Sequence, residues 1–434
     1  MIVVTKFGGS SLSCATQFAK VKNIVTSDPK RKIVVCSALG KRTSTDAKIT
    51  DTLYILHAHL KHSVPYEDVW KMLFDRFIGV QEELGIDYDI KLELDKLYSE
   101  LNKNISLDYL VSRGEYLTAK LMSKYLGYEF VDAKDLLRYN YDGKLDETLT
   151  EKNVKLAFSK YGKIVVPGFY GAYPNDSIKL LSRGGSDVTG AILAKCINAS
   201  VYENWTDVSG ILAADPRIVD NPAPIKEITY AELRELSYMG FSVLHEETVF
   251  PVQQLSIPIN LRNTNDPENP GTFIKNECTD TSNIVTGIAG KKDFLSVNIA
   301  KDHMSNEVGF LRKALSIFEK YNISVEHVPS GIDSFSVVVN KGCIERCQFE
   351  LVTDLKQELN ADVTIQSDIA LVAIVGRNMA KRSGVCASIF QTLGKEKINV
   401  KLLAQGPSEL NIIIGVDVKD YEITLKSLYN SLIK

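Results

Sequence analysis

Long apolar runs are missing from this chain of 434 residues. No uninterrupted run approaches the roughly 18–20 apolar residues that a membrane-spanning helix needs. Near the start, Lys6 and the two glycines after Phe7 stand where a signal peptide would have its apolar segment, so we expect no such leader. Membrane proteins and secreted proteins are therefore disfavoured as classes.

A charge excess of one sign and a disulfide pattern are absent as well. The 51 Lys and Arg residues nearly balance the 54 Asp and Glu residues, which disfavours a protein that binds nucleic acid mainly through charge. The seven cysteines are odd in number and scattered, which is typical of a reducing compartment. Apolar residues (44%) and charged residues (24%) occur in ordinary globular proportions, so we expect a cytoplasmic protein of two or three domains.

Strands and helices alternate over the first two thirds of the chain. Apolar runs end in small or turn-forming residues at 2–7, 33–36 and 163–166. Helical periodicity is clearest at residues 66–84 and 107–125. This alternation predicts a mainly parallel sheet that is covered by helices on both faces. A stretch rich in Pro, Gly, Asn and Asp at residues 263–292 then indicates a domain boundary.

The last third of the chain repeats itself. Gly309 and Gly384 lie 75 residues apart, and a gapless shift by that distance aligns other segments, including 323–326 with 398–401. Each copy reads as a strand, a glycine-containing turn, a helix, two strands and a second helix, which predicts two small α+β units packed side by side. The predicted domains are residues 1–290 and 291–434, the latter divided into units at about 294–368 and 369–434.

A glycine turn with a lysine beside it ends the first predicted strand. It reads K-F-G-G-S-S from Lys6 to Ser11, and its glycines allow backbone N–H groups to approach a ligand closely. The helix N-terminus that follows favours an anion, and Lys6 adds a positive charge suited to phosphate. Taken alone, the motif is equally typical of a tight strand-to-helix turn with an exposed lysine.

A second glycine-containing turn, S-R-G-G-S-D at residues 182–187, precedes another helical run. Arg183 has the geometry to bind a carboxylate or phosphate with two parallel hydrogen bonds. The alternative is that Ser186 or Asp187 is only a helix cap, although capping and ligand binding are compatible.

A third motif, W-T-D-V-S-G at residues 205–210, follows a predicted strand, and Asp215 and Arg217 come soon after it. These polar groups suit the sugar, base or phosphates of a nucleotide, whereas two consecutive turns are the alternative. Neither G-x-x-x-x-G-K-[ST] nor G-x-G-x-x-G occurs, which disfavours a P-loop and a dinucleotide-binding loop.

Together and in this order, the motifs resemble the aspartokinase family of the amino-acid kinase superfamily. S-R-G-E at 112–115 and N-P-G-T at 269–272 extend the resemblance, and the C-terminal repeat is similar to the tandem ACT domains of that family. The resemblance covers essentially the whole chain. It implies an α/β three-layer sandwich with a mainly parallel sheet, followed by an α+β, ferredoxin-like tandem ACT regulatory domain in which one unit can be inserted in the other.

The resemblance also implies a reaction, the ATP-dependent phosphorylation of the L-aspartate side-chain carboxylate to 4-phospho-L-aspartate. This is the first step toward lysine, threonine and methionine. Because a carboxylate with a pKa of about 4 is already ionised at neutral pH, the reaction needs alignment and charge cancellation and no strong base. Mg²⁺ is expected on the ATP phosphates and not in a site made by protein alone. The cluster of His57, His59 and His62 does not share one helix face, which disfavours a metal site there.

The roles of the family's motif residues transfer to matching positions of this chain. By resemblance, Lys6 and Asp187 are catalytic: Lys6 bridges the transferring phosphoryl oxygens and Asp187 orients it. The residues expected to bind aspartate are Ser37, Thr50, Glu115, Arg183, Gly184 and Ser186. Among them, Arg183 would bind a carboxylate and Glu115 the α-ammonium group. The residues expected to bind ATP are Lys6, Gly8, Gly9, Ser10, Thr206, Asp207, Asp215 and Arg217, with backbone amides of Gly8 and Gly9 on the phosphates. The polar stretch at 40–47 is either a mobile lid or a solvated surface loop.

Two positions depart from the family pattern. Ser242 stands where several relatives have a lysine, and Leu212 stands where an aromatic residue often lies against the nucleotide. Because of these two departures, a non-catalytic amino-acid sensor is one alternative to an aspartokinase. The second alternative is a related kinase that acts on glutamate, N-acetylglutamate or a nucleotide, and S-R-G-E and the appended repeat disfavour it.

The resemblance finally implies a sensor in the last third of the chain. The residues expected at an amino-acid effector are Met304, Glu307, Gly309, Phe310, Leu311 and Glu326. Gly309 would permit close backbone approach, and Glu326 would bind the effector's ammonium group. Lysine is the favoured effector and threonine the second, while purely structural dimerisation is the alternative. Because ACT units pair across chains, we expect a homodimer or homotetramer, and neither nucleic acid nor membrane as a partner.

Overall fold

The chain folds into two compact units. The structure, a computed structural model, describes all residues except 183, 242, 243, 245, 281 and 381 and the side chains of residues 246–249. The first unit contains residues 1–211, 226–230 and 243–278, and the second contains residues 212–225, 231–242 and 279–434. The chain therefore contributes two short segments to the second unit before its last third completes that unit.

The strands of the described residues are, in chain order, β1 (Val3–Phe7), β2 (Arg31–Cys36), β3 (Glu129–Phe130), β4 (Ile164–Pro167), β5 (Tyr170–Ala172), β6 (Ile178–Leu180), β7 (Val201–Thr206), β8 (Ile211–Leu212), β9 (Pro224–Ile225), β10 (Glu227–Thr229), β11 (Ile259–Asn263), β12 (Thr272–Lys275), β13 (Gly287–Ala300), β14 (Ser334–Asn340), β15 (Asp362–Val375), β16 (Leu402–Gln405) and β17 (Asn411–Asp417).

The α-helices of the described residues are α1 (Ala15–Ser27), α2 (Ile49–Lys61), α3 (Glu67–Leu84), α4 (Ile90–Glu100), α5 (Leu107–Leu126), α6 (Ala133–Leu136), α7 (Glu147–Tyr161), α8 (Gly185–Cys196), α9 (Tyr230–Tyr238), α10 (Glu246–Gln253), α11 (Phe310–Lys320), α12 (Lys341–Ile344), α13 (Gln348–Leu359), α14 (Val385–Lys395) and α15 (Tyr421–Leu432). Short 3₁₀ turns occupy Gly9–Leu12, Met304–Asn306 and Val418–Asp420. Of the helices described here, none is both long and apolar enough to cross a membrane.

An eight-stranded sheet forms the centre of the first unit, in the order β10-β12-β11-β7-β1-β2-β4-β3. Its neighbours pair in parallel except β11 and β12, which confirms the predicted mainly parallel sheet. Phe7 at the end of β1 is level with Cys36 at the end of β2 and with Trp205 near the end of β7. The carboxyl ends of these strands therefore meet at one edge, where ligands of open parallel sheets commonly bind.

Helices α2 to α5 follow β2 in the first unit, and α3 and α5 match the two segments predicted to be helical closely. Their apolar faces pack into one core with Phe7 and Trp205 of the sheet. Helix α5 is unusual because it also buries the polar segment from Ser112 to Glu115. Burial of a charged segment costs free energy unless its groups find partners, so this stretch points to a functional role.

A five-stranded antiparallel sheet forms the second unit, in the order β14-β13-β15-β17-β16. Strands β13 and β15 have 14 residues each and run through both copies of the repeat. Residues 287–291 pair with 371–375, whereas residues 294–300 pair with β14. The expected α+β fold is confirmed, whereas the insertion of one unit in the other stays a prediction. The domain division at 290/291, which lies within β13, stays a prediction.

The repeat places equivalent glycines at equivalent helix starts. Gly309 and Gly384 precede α11 and α14 with φ angles of 79° and 89°. The repeat also predicts two strands after the first helix of each copy, and the first of these strands is missing from the first copy. Residues 327–330, which the 75-residue shift aligns with β16, make only isolated bridges to β14. Pro329 lies in the same stretch and lacks an N–H group, so a continuous ladder is interrupted.

Candidate active site

A buried ion pair joins the first strand to the second glycine turn. Lys6 lies near the end of β1 with 7% of its surface exposed, and its Nζ is 2.5 Å from Oδ1 of Asp187 in the first turn of α8. Asn204 on β7 is directly opposite Lys6 in the sheet and donates from Nδ2 to the same oxygen at 2.9 Å. Two neighbouring strands therefore direct a cation and an amide at one carboxylate oxygen.

The backbone around Asp187 is also fixed. Gly184 has φ 76° and ψ 13°, a conformation that glycine adopts at little cost, and its carbonyl accepts a hydrogen bond from the Asp187 N–H at 2.8 Å. The Tyr202 hydroxyl donates to the Asp187 carbonyl at 3.0 Å. Arg183, the predicted carboxylate ligand, lies outside the described residues, so its role stays a prediction.

Backbone hydrogen bonds from two other segments hold the first glycine turn in place. The Gly8 N–H donates to the Trp205 carbonyl at 3.0 Å, and the Gly9 carbonyl accepts from the Gly40 N–H at 2.9 Å. A Cβ atom on Gly40 would lie 2.3 Å from the carbonyl carbon of Gly9, so only glycine fits this approach. The Gly8 amide is already bonded within the protein. The ATP-binding roles of Gly8, Gly9 and Ser10 stay predictions.

Glu115 is a buried carboxyl group with spare acceptor capacity. It is 3% exposed on α5, and burial raises its pKa to about 8, against smaller opposing effects of the backbone N–H groups of Glu115 and Ala38 and of Arg113. Its Oε2 has no hydrogen-bond partner within the part of the chain that the structure describes. A buried acceptor without a partner is costly, and a ligand ammonium group would satisfy it.

The other residues expected at aspartate lie around the same edge of the sheet. The Ser37 N–H donates to the Phe7 carbonyl at 3.1 Å, directly beside Lys6. Ser186 is buried at the start of α8, where a Cβ atom on Gly168 would lie 2.7 Å from its Oγ. Thr50 is in the first turn of α2, at the end of the polar loop. Their contacts with aspartate stay predictions.

The residues expected at the nucleotide divide between the two units. Thr206 ends β7 in the first unit, and its Oγ1 donates to Asp207 Oδ1 at 3.1 Å. Asp215 and Arg217 belong to the second unit, where they form an ion pair with 2.6 Å between Nη2 and Oδ2. Ser242, one of the departures from the family pattern, is outside the described residues. ATP binding by these side chains stays a prediction.

Five of the six residues expected at the effector lie just before or at the start of α11, whereas Glu326 follows the end of that helix. Glu307 pairs with Lys301 and Lys313, each at 2.7 Å. Phe310 is buried and Leu311 exposed, while Met304 begins the preceding 3₁₀ turn. Glu326 accepts a hydrogen bond from the Tyr238 hydroxyl of α9. An effector ammonium group at Glu326 would therefore compete with a donor that is already in place.

Residues 1–263 match the amino acid kinase family, and residues 372–432 match the ACT domain. Aspartokinase 3 of Bacillus subtilis is 35% identical over 98% of this chain and 97% of its own length. The chain belongs to the aspartokinase family. The crystal structure of Clostridium acetobutylicum aspartate kinase is similar over 99% of both chains, with 47% identity and a TM-score of 0.92. The structure of E. coli aspartokinase III in complex with aspartate and ADP is similar over the full length of both chains, with 26% identity and a TM-score of 0.76. The structure of the same enzyme in complex with lysine and aspartate is also similar over the full length of both chains, with 27% identity and a TM-score of 0.76.

Several residues that contact the predicted site residues escaped the sequence analysis. They are Gly40, Gly168 and Asn204 around the expected active site, Arg76, which donates to the Gly40 carbonyl, and Tyr238, which donates to Glu326 in the second unit. The sequence could have indicated Asn204, because a polar residue in a buried strand next to W-T-D requires a partner. It could not have indicated Arg76, since a charged residue in the middle of a helix is usually exposed.

Proposed function

We propose that the protein transfers the γ-phosphoryl group of MgATP to the side-chain carboxylate of L-aspartate, which gives 4-phospho-L-aspartate and ADP. The observation that carries the proposal is the buried Lys6–Asp187 ion pair at the carboxyl edge of the sheet. Backbone contacts connect it to Glu115, since the Ser37 N–H donates to the carbonyl of Phe7, next to Lys6, and the Ala38 N–H faces the Glu115 carboxyl group. Membership of the family, and the E. coli relative bound to aspartate and ADP, support this reaction.

The residues of the chain suit a transfer between two anions. The aspartate side chain is ionised at neutral pH and needs no general base. Lys6 would meet the oxygens of the transferring phosphoryl group and reduce its repulsion from the attacking carboxylate. Asp187 keeps the Lys6 ammonium in place, and Glu115 would accept the α-ammonium group of the substrate. Holding both reactants in line supplies a large share of the rate enhancement.

Mg²⁺ enters this proposal with the substrate. The described residues contain no group of three His, Cys, Asp or Glu side chains arranged to hold a metal ion. Asp207, exposed after β7, offers a single carboxylate. Such a donor set fits an ion that is held mainly by the phosphates of ATP, as is usual for Mg²⁺ in kinases.

We further propose feedback inhibition by an end product, with lysine as the favoured effector and threonine as the second. The ACT match and the E. coli relative solved with lysine and aspartate support this regulation. The enzyme would act in the cytoplasm as a homodimer or homotetramer and start the route to lysine, threonine and methionine. Glu326 and the start of α11 would form the effector site.

Initial rates with ATP and L-aspartate test the proposal, with hydroxylamine present to trap an acyl phosphate. We expect turnover with aspartate and little with glutamate, N-acetylglutamate or a nucleotide. Added lysine should lower the rate, and threonine should do so less. Preference for another acceptor would establish the related kinase instead. Tight lysine binding by calorimetry without any turnover would establish the amino-acid sensor.

A further inference from the structure

The guanidinium group of Arg76 is buried at a junction of two loops in the first unit. Arg76 lies in α3, far along the chain from both glycine turns, and is 8% exposed. Its Nη2 donates to the Gly40 carbonyl at 2.8 Å and to the Ser13 carbonyl at 3.2 Å. One nitrogen therefore joins the loop after β2 to the end of the first glycine turn.

The second nitrogen of Arg76 holds the same loop further along. Nη1 donates to Asp46 Oδ2 at 2.8 Å and to the Ala47 carbonyl at 3.3 Å. Arg42 also pairs with Asp46 at 2.9 Å, but Arg42 is largely exposed. The loop predicted as a lid or a solvated surface is therefore anchored at Gly40 and again at Asp46 and Ala47, with exposed residues between these points.

The anchored loop carries groups that the proposed reaction needs. It begins at Ser37 and the Ala38 N–H that faces Glu115, and it ends at Thr50 in the first turn of α2. The glycine turn has anchors of its own, because Gly8 bonds Trp205 and Thr264 Oγ1 donates to Ser11 Oγ at 2.8 Å. Loss of Arg76 should therefore displace the loop after β2 more than the glycine turn.

We propose that Arg76 is a positioning residue, which sets the distance between the loop that receives the acceptor and the turn that receives the phosphates. This inference rests on the proposed phosphorylation of aspartate. A planar guanidinium group suits the task because it directs several N–H groups at fixed angles, whereas an ammonium group acts as a compact point charge. A misplacement of about 1 Å between reacting groups can cost roughly 100-fold in rate.

Kinetics of Arg76→Lys and Arg76→Ala test the inference on the full chain. We expect Arg76→Lys to fold, to lower kcat by about 10-fold or more and to raise the KM for aspartate, while the KM for ATP changes by less than about threefold. In Arg76→Ala, ethylguanidinium chloride should restore part of the lost kcat, and ethylammonium chloride should restore less.

Arg42→Ala is the matched control, because it removes the other arginine at Asp46 without touching Gly40 or Ser13. Its kcat should stay within about threefold of the original protein. If Arg76→Lys behaves like Arg42→Ala, or if both Michaelis constants rise equally, Arg76 has no positioning role. If Arg76→Ala does not fold, Arg76→Lys decides alone. Absence of aspartate turnover in the unchanged protein would instead refute the proposed function, so the two failures are distinguishable.

Discussion

Asn204 donates its side-chain amide to the Asp187 oxygen that also pairs with Lys6. The contact is buried, since Asn204 is 2% exposed, and the sheet register fixes it because Asn204 and Lys6 face each other across β7 and β1. The carboxylate is therefore oriented by two strands at once. We infer that Asn204 positions Asp187 and, through it, Lys6.

Replacement of Asn204 tests this relationship. Asn204→Ala should lower kcat by about 10-fold, because Asp187 loses one of the bonds that orient it. Asn204→Asp should cost more, about 100-fold, because a second carboxylate would compete for Lys6. Initial rates with ATP and aspartate are the measurement. Asn260→Ala is the control, as it removes a buried amide from neighbouring β11 whose Oδ1 is unpaired among the described residues. Equal losses in Asn204→Ala and Asn260→Ala would argue against a specific role.

Removal of either member of the ion pair should nearly abolish turnover. Lys6→Ala and Asp187→Ala should each lower kcat by about 100-fold or more, because each removes charge stabilisation that is oriented before the reaction. Lys155→Ala is the control, since this lysine pairs with Glu151 on the exposed surface of α7. Near-normal turnover in Lys6→Ala would show that another cation meets the phosphoryl group.

The pKa of Glu115 predicts a pH dependence of aspartate binding. In the free protein, burial raises this pKa to about 8, so the carboxyl group is mostly protonated at neutral pH. The substrate ammonium favours the ionised form, so binding near pH 7 should release a proton, and affinity should increase between about pH 6 and pH 8. Calorimetry in buffers with different ionisation enthalpies measures the released proton. Glu115→Gln should bind aspartate weakly and release none, and unchanged proton release would exclude Glu115.

Glu115 should also affect stability, with a sign that follows from the direction of its shift. The folded state keeps a proton that the unfolded state loses near the ordinary pKa of 4.5. Its contribution to stability therefore decreases as pH rises from about 4.5 toward 8. As pH rises across this range, the free energy of unfolding of Glu115→Gln should increase relative to that of the original protein. Parallel curves would indicate that the group titrates normally.

The contact between Tyr238 and Glu326 predicts how strongly an effector binds. Because the Tyr238 hydroxyl already donates to Glu326, Tyr238→Phe should free the carboxylate and tighten lysine binding by about threefold or more. Glu326→Gln should weaken lysine binding. Tyr321→Phe is a matched control, since its hydroxyl donates to Asp354 in the same unit at 2.8 Å. Calorimetry with lysine is the measurement, and unchanged affinity in both Tyr238→Phe and Glu326→Gln would place the effector elsewhere.

The sequence predicts those features that are local in the chain. Gly184 at a helix start, and the equivalent Gly309 and Gly384, follow from turn chemistry and from the internal repeat. The parallel sheet follows from the alternation of apolar runs and helices. The resemblance to the family supplies the expected roles of residues such as Lys6 and Asp187, which composition and spacing alone could not assign.

The features that the sequence did not reveal depend on contacts between distant segments. Arg76 meets Ser13 across 63 positions, and Tyr238 meets Glu326 across 88. No periodic pattern encodes such pairs, because tertiary packing decides which buried polar group finds which partner. The extension of β13 back to Gly287 was missed for a related reason, since one continuous strand pairs with both copies of a repeat that reads as two separate units.

The second compact unit draws on three separate stretches of the chain, and the earliest lie among the kinase motifs. Glu232, with 0% of its surface exposed, forms an ion pair with Arg377 at 3.1 Å. A protein truncated after residue 290 would therefore keep Glu232 and lose Arg377. Deletion is consequently a poor route to an enzyme without the proposed feedback inhibition. Strains selected for overproduction should instead carry single amino-acid exchanges that leave the full-length polypeptide intact.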